Sequence, residues 1–379
     1  MNPLPHMYYL ILFSICSTIL FAEQDSEKFG FALSEQLLQN QGNVFISPYS
    51  AEIALRMALE GANGKTQEEM NAVIGSAPQR KLSDKDVHSF QAMAIDASLK
   101  PLESYREAIQ QQFQATIFPV DFTKNPKKSL SFTNKSVLKA TQGLIKNFIQ
   151  PQDVSEKTKL ILLNAIYFKK QWASPFSVSK TEKAPFTTCD DTKIAVDMMR
   201  QQEFFSCGTS DGVSYLELRF KEEENAPEYS CMLILPSEKN ALLQIEQSLT
   251  AEKLAEWDRS LRKEYVELFF PKVTLDFRID LKEALKTLGM REAFSESADF
   301  SKISPHLELA IDKVLHQTHL TIDEQGLEAA ASSAAIFIVK AERRPEHSIV
   351  MRFDHPFLIV IREKQSGTLL FIGRICNPL

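Results

Sequence analysis

Residues 324–340 read Glu-Gln-Gly-Leu-Glu-Ala-Ala-Ala-Ser-Ser-Ala-Ala-Ile-Phe-Ile-Val-Lys, and the assignment of the fold turns on this stretch. Alanine has the highest intrinsic helix propensity, so a short helix is the first reading. Against it, the stretch starts beside Gly326, carries no helical apolar stripe and ends in a β-branched run. Small side chains throughout let such a segment lie in a groove between existing strands at little steric cost. Strand alternation then puts Leu327, Ala329, Ala331 and Ser333 on one face and Glu328 on the other, towards solvent. The next residues, Lys340-Ala341-Glu342-Arg343-Arg344-Pro345, are charged and polar, as in an exposed tip that a protease cuts. An inert surface loop is the competing reading.

Outward from this stretch, the chain after it reads as strands. His347–Phe353 is one, and Phe357–Arg362 pairs with Thr368–Gly373 across Gln365-Ser366-Gly367. Before it, Leu160–Lys169 (LILLNAIYFK) is a nearly continuous apolar run, the pattern of a strand buried on both faces. Val213–Phe220, Ser230–Leu235 and Val266–Phe270 are further strands, and Asp280–Leu288 is an amphipathic helix closed by Gly289. Earlier still, Lys28–Leu38 and Pro48–Gly61 read as helices, the second with Ser47 as N-cap and proline at its first position. No repeat and no Pro/Gly/Ser linker divides the chain. The class is α+β, in one large domain over residues 23–379.

Composition excludes several functions. Glycine is scarce, 12 of 379 residues, or about 3% against a usual ~7%, which disfavours phosphate-cradling loops. A net charge of -6 leaves no footprint for nucleic acid. Leu10–Phe21 is an apolar run too short for a bilayer span of ~20 residues. Ala22 and the polar Glu23-Gln24-Asp25 follow it, so residues 1–22 read as a cleaved secretory signal on a secreted, extracellular chain with no membrane anchor. Cys16 leaves with that signal. Cys189, Cys207, Cys231 and Cys376 remain, without zinc-type spacing and with three possible pairings. Asn134-Lys135-Ser136 is the one glycosylation sequon.

Motifs of catalysis fail on context. Gly208-Thr209-Ser210-Asp211-Gly212 matches a nucleophile elbow, but strands flank it where that motif needs a strand and then a helix. A hairpin turn is expected. Gly64-Lys65-Thr66 resembles the tail of a phosphate loop whose first glycine is missing, since position 59 is Leu59. His316 and His319 point to opposite faces of a strand and lack a third ligand. No enzyme, metal or cofactor is expected.

The chain from about residue 26 to 379 resembles the serpins. The resemblance is carried by Asn43-Val44-Phe45-Ile46-Ser47-Pro48-Tyr49-Ser50, with Ala54-Leu55, Met57 and Gly61 to Thr66. It continues through Asn164 to Lys169 with Trp172 and Pro175-Phe176, and through Leu288-Gly289-Met290, Ala293-Phe294 and Ala298-Asp299-Phe300. The hinge Glu324-Gln325-Gly326 with Glu328 to Ala331 and the signature Phe353-Asp354-His355-Pro356-Phe357-Leu358 complete it. One of these is weak; five in order are specific. The resemblance implies three β-sheets, surrounding helices and an exposed reactive loop at about residues 324–352. It implies an inhibitor consumed in one encounter. A serine protease attacks the loop, forms an acyl-enzyme, and is carried off as the loop inserts into sheet A.

By the same resemblance the hinge is Glu324, Gly326, Leu327, Glu328, Ala329, Ala330 and Ala331. Ser47, Ser50, Asn164 and His316 form the polar shutter under sheet A, and Trp172 stands at the breach where insertion begins. The scissile bond falls at Lys340–Ala341, with Arg343 and Arg344 as alternatives, which implies a trypsin-like partner. Three departures stand out. Leu327 occupies a position usually held by a small residue, which would slow insertion. The stretch after Gly75 is short and poor in basic residues, so heparin or other glycosaminoglycan binding is not expected. Ser136 replaces a common aromatic. A monomer is expected. The reading from another class is a non-inhibitory serpin acting as a carrier, storage protein or chaperone.

Overall fold

The computed structural model describes residues 27–75, 85–122, 124–238, 241–305, 309–327, 345 and 347–379. A helix over residues 27–38 (α1) leads into strand β1 (Val44–Ile46), helix α2 (Pro48–Gly61) and helix α3 (Gly64–Ile74). The expected start of α2 is in place: Ser47 Oγ accepts the Ser50 N–H, and Pro48 opens the first turn where no N–H is needed. Gly64-Lys65-Thr66 opens α3 as framework. Thr66 Oγ1 accepts the Asp299 N–H at 2.9 Å, and Lys65 pairs with Glu292 at 3.0 Å.

Next come β2 (Val87–Asp96), α4 (Glu103–Phe113), β3 (Thr116–Val120), α5 (Pro126–Ala140), β4 (Leu160–Phe168) and β5 (Lys170–Gln171). These strands, with β11 (Val273–Asp280), β12 (Lys313–Ile322) and β13 (Gly326–Leu327), make a seven-stranded sheet. β4 is buried along its whole length, as its unbroken apolar run predicts. One face of it, through Leu160 and Leu162, meets α2 and its neighbours, and the other, through Ile161, Leu163 and Ala165, lies under α5.

β6 (Glu182–Thr187), β7 (Lys193–Ser210), β8 (Val213–Arg219), β9 (Tyr229–Pro236), β10 (Arg262–Pro271), β14 (Ile349–Arg352), β15 (Phe357–Glu363) and β16 (Leu369–Ile375) join β1 in a nine-stranded sheet. Three separate sheets were expected. Hydrogen bonding merges two of them, because the 18-residue β7 pairs with β6 and β10 along one part and with β8 at its other end. An apolar layer rich in phenylalanine, among them Phe45, Phe168, Phe270, Phe353, Phe357 and Phe371, fills the space between the two sheets.

Other expectations hold with shifted ends. Ser210 closes β7, and Asp211 and Gly212 both take positive φ, 52° and 76°, making the two-residue hairpin turn that excludes a nucleophile elbow. The helix expected over 280–288 is α8 (Lys282–Thr287), shorter because Asp280 finishes β11. α6 (Leu242–Ser248) and α7 (Ala251–Ser260) complete the helices named here. Among the described residues no helix is long and apolar enough to cross a membrane, and no cluster of three metal-binding side chains occurs.

Candidate functional site

The seven-stranded sheet differs along its length. β4 and β12 run parallel and pair directly from Ile161↔Lys313 to Tyr167↔His319. Beyond that point β4 ends, and β13 enters in the gap, pairing with β12 at Ile322↔Leu327 and with β5 at Lys170↔Leu327 and Gln171↔Gly326. The first two residues after Gln325 are thus already strands of the sheet.

This open end is built from backbone contacts. Trp172 donates its backbone N–H to Gln325 O at 2.9 Å and its indole Nε1–H to Asp323 O at 3.0 Å, while its ring stacks on Phe220. Phe176 N–H donates to Glu324 O at 2.8 Å. The Glu324 carboxylate accepts from Lys272 Nζ at 2.8 Å and from Thr181 Oγ1 at 2.7 Å. Burial pushes the Glu324 carboxyl up, but these two hydrogen bonds, a main-chain bond and the Lys272 charge together outweigh it and hold it below the usual range. Gly326 is required: φ is 156°, and a Cβ there would meet Lys170 O at 2.2 Å. Leu327 is 1% exposed and belongs to the inter-sheet core with Trp172, Phe220, Leu320 and Ile322. Burying such a side chain contributes about 1.5–3 kcal/mol.

The closed part is crossed by a buried polar cluster. Ser47 N–H donates to His316 Nε2 at 3.0 Å, which leaves the ring proton on Nδ1 to bond Asn164 Oδ1. Asn164 Nδ2 serves Ser50 O at 2.8 Å, Ser50 Oγ at 2.5 Å and Gln91 Oε1 at 2.7 Å, and Gln91 Nε2 returns to Ser50 Oγ at 2.8 Å. Asn164 and His316 face each other across the β4–β12 pairing. Complete burial drives the His316 pKa down to about 3, so the imidazole is neutral and has one acceptor and one donor nitrogen, as these bonds need. A strand entering between β4 and β12 has to break the Asn164–His316 bond.

Ser47, Ser50, Asn164 and His316 therefore come together, and Glu324, Gly326, Leu327 and Trp172 form a second group at the end of the same sheet. Glu328, Ala329, Ala330, Ala331, Lys340, Ala341, Arg343 and Arg344 lie outside the described residues, as does the expected signal segment. His319 is apart from His316 and bonds Asp276 at 2.7 Å. Asn134 sits in α5, with Nδ2 donating to Ile149 O and Oδ1 accepting the Ile149 N–H, both at 2.9 Å. Of the cysteines, Cys189 bonds Cys376, while Cys207 and Cys231 are free and buried.

The sequence reading missed Gln91, Lys272 and Thr181. Gln91 had a signal, a lone amide inside the apolar run Phe90 to Ile95. Lys272 and Thr181 had none, since they meet Glu324 across 52 and 143 residues.

Comparison with known proteins gives these two groups a family. The serpin (serine protease inhibitor) family model matches residues 24–378. Neuroserpin of Gallus gallus is 33% identical over 361 residues, 89% of this chain and 86% of that protein. The leukocyte elastase inhibitor of Bos taurus is 34% identical over 365 residues, 89% and 93% of the two chains. Human thyroxine-binding globulin, solved in complex with thyroxine, superposes with a TM-score of 0.83 at 26% identity over 95% of this chain and 99% of that one. The chain belongs to the serpin family, which includes protease inhibitors and is not a family of enzymes.

Proposed function

We propose that this serpin is a secreted inhibitor that traps trypsin-like serine proteases by loop cleavage and insertion. The observation that carries the reading is strand β13: the hinge has begun a strand between β12 and β5, and the residue expected to resist entry, Leu327, is seated in the core. Insertion continues from there by parting β4 from β12, with Trp172 at its start and the Ser47, Ser50, Asn164, His316 and Gln91 cluster as the barrier in its path. The register from Glu324 assigns the scissile bond to Lys340–Ala341, and a lysine suits a protease pocket floored by a carboxylate. Secretion is supported by the apolar run Leu10–Phe21 and by the Cys189–Cys376 disulfide, a bond favoured in oxidising compartments. Asn134 is a proposed glycan site, and attachment there has to precede packing of α5, because Nδ2 is bonded to Ile149 in the fold.

The test is a mixture of the purified protein with trypsin on a denaturing, reducing gel. The expected result is a covalent complex and a C-terminal fragment beginning at Ala341. A fragment beginning at Arg344 or Pro345 moves the bond to Arg343 or Arg344. Cleavage with no complex, and no gain in stability of the cut protein, would overturn the trapping mechanism.

A further inference from the structure

The disulfide joins two parts of the chain that the reactive loop separates. Cys189 stands in the turn between β6 and β7, ahead of the loop, and Cys376 follows β16, behind it. The segment between the loop and Cys376 carries β14, β15 and β16, and β15 and β16 lie inside the nine-stranded sheet between β1 and β9. Once the loop is cut, the peptide chain no longer connects these strands to the rest. Hydrogen bonds hold their end as well: Asn43 Oδ1 accepts the N–H groups of Cys376 and Asn377 at 2.7 and 2.9 Å, and Asn43 Nδ2 donates to Asn377 O at 2.6 Å. The only covalent link left among the described residues is Cys189–Cys376.

We propose that this disulfide is a redox-sensitive staple: it keeps the cut molecule a single covalent unit with its C-terminal strands in place, and its reduction turns the cut molecule into a two-piece assembly. The inference rests on the loop of the preceding reading being cut, by any protease, and not on trapping. Cys189 is exposed and Cys376 is 3% exposed, so attack from solvent falls on the Cys189 sulfur. One thiolate of a dithiol reductant bonds that sulfur, the S–S bond breaks, and Cys376 leaves as a thiolate that takes a proton. The second thiol of the reductant then loses its proton and displaces Cys189, which is protonated in turn. Two electrons have passed to the protein, and the reductant is left as a disulfide. Cys207 and Cys231 do not interfere, because both are buried and burial pushes both thiols up.

The experiment uses the full chain cut in residues 328–344 by trace subtilisin, with the cut located by N-terminal sequencing. Without reductant the cut protein should run as one band on a denaturing gel, and dithiothreitol should split it into two. In guanidinium, the unfolding midpoint of the cut wild type should not depend on protein concentration. After cutting, Cys189→Ser/Cys376→Ser should give a midpoint that rises with concentration, because its unfolding is a dissociation. If the double variant does not fold, cut wild type that has been reduced and alkylated without denaturant provides the same reading. Two bands without reductant, or a midpoint independent of concentration after the link is removed, would overturn the staple. Failure of trapping shows separately, as the absence of a protease complex, and leaves both readouts intact.

Discussion

The two ends of the β4–β12 seam are held by opposite kinds of chemistry. At the end where β13 enters, the hinge is fixed by main-chain bonds, a buried leucine and an ion pair whose lysine is 39% exposed. Further along, the seam is closed by direct pairing and by neutral side chains with no contact with water, His316 and Asn164 among them. Solvent reaches Lys272 but not the buried Glu324 carboxylate, so the first pair is screened from one side, and screened ion pairs contribute roughly 0–1 kcal/mol. Nothing screens the second group, and each buried polar group stripped of its partner costs roughly 1–3 kcal/mol. On the proposed mechanism, the end where the loop starts is therefore the easier to extend, and the middle is where an advancing strand would meet resistance.

The strongest way to break this contrast is to stop the advancing strand itself. Ala331→Arg puts a charge where alternation turns the side chain inward, and an unpaired buried charge costs several kcal/mol. Complex formation with trypsin should be lost while loop cleavage continues. A complex surviving in the variant would mean that the strand does not enter in this register.

Asn164→Ala attacks the closed part. It strands His316 Nδ1–H, Ser50 and Gln91, so native stability should fall by about 3 kcal/mol, read as a lower denaturant midpoint. A change below about 1 kcal/mol would put the barrier elsewhere.

Acid acts on the same place with a definite sign. The His316 pKa is about 3 when folded and about 6.5 when free, so its contribution is complete above pH 6.5 and declines as pH falls towards 3. The limiting slope is about 1.4 kcal/mol per pH unit. His316→Asn should flatten the stability profile between pH 6.5 and 4, measured by denaturant titration at each pH. An unchanged slope would mean that another group carries the acid sensitivity.

The smallest effect belongs to the open end. Glu324→Gln keeps one acceptor oxygen for Thr181 and turns its NH2 towards Lys272, which is 39% exposed and is hydrated instead, so it should cost about 1 kcal/mol. Loss of several kcal/mol would reverse the comparison and make the ion pair the stronger lock.

Much of this was legible in one dimension. The apolar run of β4, the proline-led start of α2, the Asp211-Gly212 turn and the C-terminal hairpin follow from local patterns, because each is decided by neighbours within a few residues. The residues proposed for the hinge were picked out by their small side chains and those proposed for the shutter by family motifs, while Gln91 stands in the sequence as a polar break in an apolar run. The bulk of Leu327 is visible in the sequence, whereas the space made for it by Trp172, Phe220 and Leu320 is visible only in the fold.

The sequence by itself determined the α+β class and the family, since these rest on composition, periodicity and short motifs. Only the tertiary structure decided that β7 merges two sheets, that Lys272 and Thr181 hold Glu324, and that Cys189 rather than Cys207 or Cys231 meets Cys376. The contacts of Glu324 and the disulfide join positions 52 to 187 residues apart, where the energy depends on distances that only the packed chain sets.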